Sequence, residues 1–336
     1  SLSGVKYMTI PKEKKIAKEQ TTASDVPYGM KKVKQNGNLT LYKNPYALPF
    51  GYGYDSYMTE EQYDQLNGVE REQAMLNGVV LNEKPQQSIL NHIENAKDGN
   101  ILSTTISEND ISSPKGKKYC KITVPVEKDK ETYLYFKNLE YKGKIKINDK
   151  FLLEGKKGTS SILVSDNDVQ QKIHIQNPTN PYYFGRKDYM VKLNHHTSKS
   201  KETVRLDFQV PGNYEYDDIT LITVKKQNTF HKLENLKKHT LKNIEYRENT
   251  FKGNFQTDKD RMLCVTIPYS DGWSAKVDGQ NAKIYKANGM YMGIFMTAGE
   301  HKVELNYMTP GLKMGAVVSL AGWAALAILA LLRRKY

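Results

Sequence analysis

The residues of this sequence that could do chemistry are few and scattered. His195 and His196 form its only histidine doublet. Adjacent strand residues point to opposite faces, so the two cannot hold one metal ion together without a bend. Neighbouring carboxylates, which could supply acid–base groups or calcium ligands, occur at three places: Glu60-Glu61, Asp217-Asp218 and Asp258/Asp260. With 37 acidic residues in the chain such pairs also arise by chance, and they indicate surface polar residues.

Recurrent catalytic motifs are absent. The sequence contains no GxGxxG, Walker loop, HExxH, GxSxG or cysteine pair at metal-binding spacing. Cys120 and Cys264 both lie in alternating apolar runs 144 positions apart, which predicts two buried free thiols. We therefore predict no catalytic residue, no metal site and no cofactor in this chain.

An aromatic segment is the strongest candidate for ligand binding. Tyr52, Tyr54 and Tyr57 follow one another closely, and Trp273 lies in a second aromatic block. Aromatic rings pack on the faces of pyranose sugars, so these four residues could form a carbohydrate-stacking platform. Packing of the segment against its own β domain explains the same residues and stays open as the alternative.

Residues 315–332 form an apolar run, GAVVSLAGWAALAILALL, without a charge, amide or histidine. At a rise of about 1.5 Å per residue this helix spans roughly 27 Å, close to the thickness of a bilayer's hydrocarbon core. Gly311 and Gly315 have the GxxxG spacing at which a second helix can approach closely. A core helix of this length rarely lacks polar positions on every face. The run therefore predicts a transmembrane helix over 314–332.

The charges around this helix predict its orientation. Arg333, Arg334 and Lys335 follow it directly, and basic residues prefer the cytoplasmic side. We expect a cell-membrane protein with a cytoplasmic tail over 333–336 and its other domains on the extracytoplasmic face. The net charge is +13: residues 1–110 carry 12 Lys/Arg and 14 Asp/Glu, and the remainder carries 38 and 23. The basic part suits anionic lipid headgroups or an anionic glycopolymer, and its scattered lysines argue against nucleic acid.

The elements that must position these residues are mostly strands. Alternating apolar patterns with turns at about ten-residue spacing predict a mainly β fold with two antiparallel β-sandwich domains, jelly-roll or Ig-like, a few short helices and one C-terminal transmembrane helix. We divide the chain into an N-terminal segment (1–100), a first sandwich (101–226), a linker helix (227–240) and a second sandwich (241–310).

The N-terminal segment mixes turn and helix signals. Asn36-Gly37 predicts a hairpin. The prolines and glycines of 41–55 predict irregular structure. Thr59, with Gln62 three residues later, predicts a capped helix over 59–66, and a second helix is expected over 69–76. Ser1 is not preceded by an initiator methionine or a signal peptide, so we expect a longer natural protein.

Several stretches together resemble the C-terminal extracytoplasmic region of the bacterial YfhO-like family of multi-pass membrane proteins. They span the whole chain in the expected order, although 100–226 contributes no motif. Lys43 departs from the family pattern, in which an acidic residue is common at that place. The stretches that carry the resemblance are GVKY (4–7), LYKNPYALPFGYGYD (41–55), IPYSDGWSAKVDG (267–279), NGMYMGIFMTAGEHKVELNY (288–307) and the closing TPG with its apolar helix.

The resemblance implies a GT-C-like membrane glycosyltransferase that takes a sugar from a polyprenyl-phosphate carrier and decorates lipoteichoic acid or a related surface polymer of Gram-positive bacteria. The catalytic acid of such enzymes is expected in an early loop of an N-terminal multi-helix membrane domain. That domain would be this chain's main partner, and no catalytic residue is carried over. We expect an inactive part that positions the acceptor or covers the catalytic domain.

Two alternatives stay open. One is a membrane-anchored carbohydrate-binding or adhesion module without an enzymatic relative, and the other is a structural spacer. The upstream sequence would discriminate them, because many further membrane helices favour the transferase and a simple signal peptide favours the adhesin.

Overall fold

The computed structural model describes residues 2–11, 29–85, 90–94, 101–106, 119–127, 130–141, 159–166, 170–176, 180–193, 201–210 and 214–333. Over these residues the fold is mainly β, with four helices, as predicted. The alternating pattern also predicts a strand over 143–148, and the sequence Pro-Gly-Asn predicts a turn at 211–213. Both lie outside the described residues, as do residues 334–336 of the basic tail.

The elements follow one another along the chain as three groups. The first group is β1 (Tyr7–Pro11), β2 (Lys31–Asn36), β3 (Leu39–Lys43), β4 (Gly51–Tyr54), β5 (Ser56–Thr59), α1 (Glu60–Asp64), α2 (Gly68–Asn77), β6 (Val79–Leu81) and β7 (Asn91–His92). The second is β8 (Ile101–Thr105), β9 (Tyr119–Pro125), β10 (Lys130–Lys137), β11 (Glu140–Tyr141), β12 (Thr159–Ser165), β13 (Gln170–Gln176), β14 (Tyr189–Leu193), β15 (Lys201–Phe208), β16 (Tyr214–Glu215) and β17 (Asp218–Lys225). The third is α3 (Lys226–Leu236), β18 (Lys242–Arg247), β19 (Thr250–Thr257), β20 (Arg261–Val265), β21 (Trp273–Val277), β22 (Gln280–Ala282), β23 (Ile284–Ala287), β24 (Tyr291–Met296), β25 (Gly299–Tyr307) and α4 (Leu312–Arg333).

The middle group forms two four-stranded antiparallel sheets, in the orders β14-β10-β17-β8 and β13-β12-β15-β9. The sequence of strand β9 shows how a strand of these sheets obtains a buried face. Its residues Cys120, Ile122 and Val124 are buried, and the residues between them are exposed. Such alternation gives each strand one apolar face. The apolar faces of both sheets contribute to one hydrophobic core. A two-layer sandwich requires this arrangement, and its jelly-roll or Ig-like connection order stays a prediction.

The other large body of the structure joins both ends of the chain. A five-stranded sheet, β18-β19-β25-β21-β22, shares a core with a seven-stranded sheet, β4-β20-β24-β23-β6-β5-β7. Four strands of the larger sheet come from residues 51–92 and three from 261–296. The structure thus unites parts of the predicted segments 1–100 and 241–310 in one sheet. Pairing between strands some 200 positions apart leaves no local pattern in the sequence.

Strand β4 corrects the prediction of irregular structure over 41–55. It is hydrogen-bonded to β20 on one side, and on the other the Gly53 N–H donates to the His239 carbonyl at 2.9 Å. The glycines serve packing, since a Cβ on Gly51 would lie 2.9 Å from the Leu241 Cβ. Glycine lets another layer approach the strand closely.

Local signals predict the short elements well. The predicted hairpin forms between β2 and β3, but its turn residues are Gly37 and Asn38, one position later than predicted, because Asn36 pairs with Leu39. Gly37 has a φ of +55°. Helix α1 has the predicted capping box between Thr59 and Gln62. Helix α2 has a second box, in which Asn67 accepts from two backbone N–H groups and Glu70 accepts from the Asn67 N–H.

Helix α4 has 22 residues, none of them buried, and it is long and apolar enough to cross a membrane. Within the described residues no other helix meets this test. Cys120 and Cys264 are buried cysteines, as predicted.

Replacing Gly53 with alanine tests the close packing at β4. The new Cβ would lie 2.7 Å from the Phe255 ring and 3.0 Å from the Arg261 Cδ. Because overpacking a closed core forces strain, we expect Gly53→Ala to lower the free energy of unfolding by about 1–3 kcal/mol, measured by denaturation followed by circular dichroism. Gly68→Ala is the control, since its Cβ would meet Met190 at 3.6 Å. Equal stabilities of the two variants would contradict the packing argument.

Candidate functional site

The structure does not bring the four predicted aromatic residues together as an exposed platform. Tyr52, Tyr54 and Tyr57 are buried, with exposures of 0%, 1% and 7%. The Tyr52 hydroxyl donates to the Leu2 carbonyl at 3.0 Å, and the Tyr54 hydroxyl donates to that of Met75 at 2.7 Å. Burial raises the pKa of both phenols. These rings have no free face for a sugar, which favours the packing alternative.

Trp273 lies apart from them, on the five-stranded sheet. It is half-buried, and its ring centroid is 5.1 Å from that of Tyr307, its cross-strand partner. Of the predicted platform, Trp273 alone keeps part of its surface accessible.

The predicted GxxxG pair is divided by the start of α4. Gly311 has a φ of +79° and precedes the helix, which begins at Leu312. Gly315 lies within the helix, and nothing is within 4 Å of the place its Cβ would occupy. Two glycines make one helix face only when both are helical, so Gly315 alone can serve close helix packing.

The other sequence candidates have structural roles or lie outside the described residues. His195 and His196 belong to the latter. Asp258 accepts a hydrogen bond from Arg261 at 3.0 Å, and Asp218 accepts one from Thr220 at 2.8 Å. No group of three or more metal-ligating side chains occurs among the residues that the structure describes.

A cavity of about 660 Å³ is the best candidate site. It lies where the N-terminal residues, helices α2 and α3 and strands β10 and β14 meet, and we call it the tyrosine cleft. Tyrosines and a small set of charged side chains line it. The tyrosines are the half-buried Tyr46, Tyr63 and Tyr291 and the buried Tyr133, and the most important charged residues are Glu72, Glu131 and Lys192.

Strand register assembles the charged cluster of the cleft. Tyr133 of β10 pairs with Lys192 of β14, and Glu131 shares the face of Tyr133 because it is two residues earlier. Glu131 accepts from the Lys192 ammonium at 2.5 Å and from the Tyr133 hydroxyl at 2.8 Å. Burial and the Glu131 charge raise the pKa of Tyr133, so it stays a neutral hydrogen-bond donor.

Glu72 projects from α2 into the same cleft. Its side chain keeps contact with solvent, but the surrounding walls displace water and raise the pKa of its carboxyl. The nearby Glu131 charge acts in the same direction, and Lys192 opposes both. A carboxyl with a raised pKa in a concave site is typical of functional residues.

Helix α3 supplies the opposite wall. Phe230 stacks on Tyr46 with ring centroids 4.1 Å apart. The Gln73 amide of α2 donates to the Thr229 hydroxyl at 3.2 Å, which joins the two helices. The Gln73 Oε1 is buried and has no hydrogen-bond partner among the described residues. Buried polar atoms without a partner are rare in proteins.

A second cavity of about 710 Å³, the lysine groove, adjoins the first. Lys6, Lys43 and Lys237 line it, and none of its described lining residues is acidic. Ser3 and Asn44 belong to both linings. Lys43 is the residue at which the sequence departs from the pattern of the resembling family.

The sequence gives no signal for this pair of cavities. The spacing of Glu131 and Tyr133 places them on one strand face, but Lys192 is about 60 positions away and Glu72 is on a helix of a different segment. Only the strand register and the packing of α2 against α3 bring them together.

The fold is that of a mainly β protein with one helix, among the described residues, that is long and apolar enough to cross a membrane. The family described as bacterial membrane protein YfhO matches residues 1–319, and the chain belongs to this family. The uncharacterized protein YfhO of Bacillus subtilis (strain 168) is 26% identical over 350 residues, which cover 99% of this chain and 36% of that protein. The chain thus spans about a third of the relative's length.

Two solved structures show weaker likeness. One is the arabinofuranosyltransferase AftD from Mycobacteria, with 10% identity and a TM-score of 0.22 over 70% of this chain and 25% of that one. The other is dimeric latent PorU from Porphyromonas gingivalis, with 7% identity and a TM-score of 0.27 over 82% and 26%. Scores this low carry no argument about fold or activity.

Replacing Glu72 with glutamine tests the electrostatics of the cleft. A raised folded-state pKa means that Glu72 stabilises the fold most below its ordinary pKa of 4.5 and loses this contribution as the pH rises through the folded value. We therefore expect Glu72→Gln to become more stable than the parent as the pH rises from 4.5 to neutral. Because the side chain is exposed, solvent limits the gain to under about 1 kcal/mol.

The measurement is chemical denaturation of both proteins across this pH range. Glu61→Gln, on the exposed first turn of α1, is the control and should leave the pH profile of stability unchanged. A profile of Glu72→Gln that runs parallel to the parent's would contradict the assigned environment.

Proposed function

We propose that this chain is the non-catalytic, extracytoplasmic part of a membrane glycosyltransferase that uses a polyprenyl-phosphate sugar donor. Its role is to position an acceptor, lipoteichoic acid or a related anionic surface polymer, beside the catalytic membrane domain. Family membership and the apolar helix α4 support a place in a larger membrane protein. The sequence stretches that resemble glycosyltransferases of this kind support the reaction class.

One observation carries the acceptor role: the tyrosine cleft and the lysine groove are adjacent and share Ser3 and Asn44. Tyrosine rings can pack on sugar faces, and the groups of Glu131, Tyr133 and Lys192 can hydrogen-bond to hydroxyls. Lysine ammonium groups bind phosphate as point charges. A polymer with alternating polyol or sugar and phosphate groups would find both kinds of contact side by side.

The resemblance supports a position for the chemistry outside this chain, because the catalytic acid of such enzymes is expected in an early loop of the N-terminal membrane domain. This chain offers a cleft in which an acceptor could bind. We infer that the transfer takes place in the N-terminal multi-helix membrane domain of the longer protein. Gly315 then lies where α4 could pack against a helix of that domain, with the C-terminus on the cytoplasmic side.

Acceptor binding predicts a salt-dependent interaction. We expect the 336-residue chain in nanodiscs to bind purified lipoteichoic acid at low salt and more weakly at high salt, because salt screens exposed charges. The double substitution Lys6→Gln/Lys43→Gln should weaken binding by about tenfold, equal to about 1.4 kcal/mol. Surface plasmon resonance measures both effects.

Lys172→Gln/Lys201→Gln is the matched control, since it removes the same charge from exposed strand positions of the first sandwich. Binding that is absent, indifferent to salt, or weakened equally by both double variants would contradict the proposal. Normal polymer binding by a full-length protein that transfers no sugar would favour the adhesion alternative.

A further inference from the structure

One end of the sheet pair lies next to α4, and we call it the helix end. Strand β25 finishes at Tyr307, four residues before α4 begins. Register places Trp273 beside Tyr307 and Thr250 beside Asn306 at this end.

Backbone hydrogen bonds bring three further loops to the helix end. The Met308 N–H donates to the Gly272 carbonyl, and the Tyr269 N–H donates to that of Met290, both at 2.8 Å. The Tyr307 N–H donates to the Asn249 carbonyl at 2.8 Å. The helix end therefore consists of residues 246–250, 266–273, 288–290 and 307–311.

The exposed large apolar residues of 241–310 all lie at this end. They are Tyr246, Tyr269, Met290 and Met308, with exposures of 80%, 39%, 56% and 47%. Phe50 joins them from β4's side, since its carbonyl accepts from the Thr266 N–H at 2.9 Å. Exposed apolar residues gathered in one place mark an interaction surface.

The opposite end of the same sheets is polar. Its turns carry Asp258, Asp278 and Glu300, and Asp278 pairs with His301 at 2.7 Å. The helix end carries exposed charged residues too, among them Arg247, Glu248 and Asp271, so the two ends differ in their exposed large apolar residues, and the end that has these is the one from which α4 leaves.

We propose that the helix end contacts the lipid bilayer, with Tyr246, Tyr269, Met290 and Met308 in the headgroup region around α4. Tyrosine and tryptophan prefer this region because their rings are apolar and their polar groups can reach water. The connection from Tyr307 to α4 is four residues long, so a membrane crossed by α4 lies against these loops. The inference rests on α4 crossing the membrane and not on the proposed acceptor.

The two tryptophans of the chain provide a direct test, because Trp323 lies within α4 and Trp273 at the helix end. The chain is reconstituted in phosphatidylcholine–phosphatidylglycerol vesicles whose lipids are brominated either near the headgroup or deep in the acyl chain. In Trp323→Phe we expect stronger quenching of Trp273 by the shallow bromines. In Trp273→Phe we expect stronger quenching of Trp323 by the deep ones.

Aqueous iodide, which quenches tryptophans exposed to water, distinguishes a Trp273 ring in water from one in lipid. Quenching of Trp273 by iodide and not by brominated lipid would overturn the proposal, because the ring would then face water. Quenching by neither reagent would also overturn it, because the ring would then be covered by protein.

Exposed single cysteines give a second measurement that does not depend on a half-buried ring. Tyr246→Cys at the helix end and Glu300→Cys at the opposite end are labelled with an environment-sensitive fluorophore, while Cys120 and Cys264 stay buried. We expect a blue-shifted emission and several-fold slower reduction by dithionite at position 246 only. Equal behaviour of the two positions would contradict bilayer contact.

Discussion

The pairing of β4 with β20 is the interaction on which the rest of the structure depends. It places the N-terminal segment in the same sheet as strands more than 200 residues later, and the 239–241 segment pairs with the free side of β4. Tyr52 and Tyr54 on this strand fill the interior and hold Leu2 and Met75 by hydrogen bonds. Because Tyr52 is hydrogen-bonded to Leu2, next to Ser3, and Asn44 lies seven positions before Gly51, this strand helps to place the N-terminal wall of both cavities.

Local sequence patterns predict those elements that are determined by residues a few positions apart. The alternation in β9 and the caps at Thr59 and Asn67 depend on neighbouring residues, and the sequence predicts most strands of 101–307 to within a few residues. The family was also recognisable from short blocks. The two cavities were not predictable, because Glu72, Glu131 and Lys192 come from three elements that only tertiary packing joins. Of the two interpretations of the aromatic segment, burial favours packing: Tyr52 and Tyr54 lie in the edge strand β4, and the glycines beside them hide its strand pattern in the sequence.

The ionisable groups of the tyrosine cleft interact with one another. Lys192 neutralises Glu131, Glu131 accepts from the Tyr133 hydroxyl, and Glu72 holds its proton to a higher pH than usual. The groove beside it has lysines without acidic neighbours in its lining. One side of Asn44 thus offers paired charges and neutral donors, while the other offers unopposed positive potential. Ligands with both neutral and anionic parts fit this division.

The short connection before α4 has a mechanical consequence. Residues 308–311 can span at most about 14 Å, and Met308 is hydrogen-bonded to Gly272 while Gly311 accepts from the Gly315 N–H. The connection between β25 and α4 is therefore short, and hydrogen bonds hold it at both ends. In the proposed bilayer arrangement, a tilt or rotation of α4 would change the direction in which both cavities face. A helix that anchors the protein would then also determine the orientation of its cavities relative to the membrane.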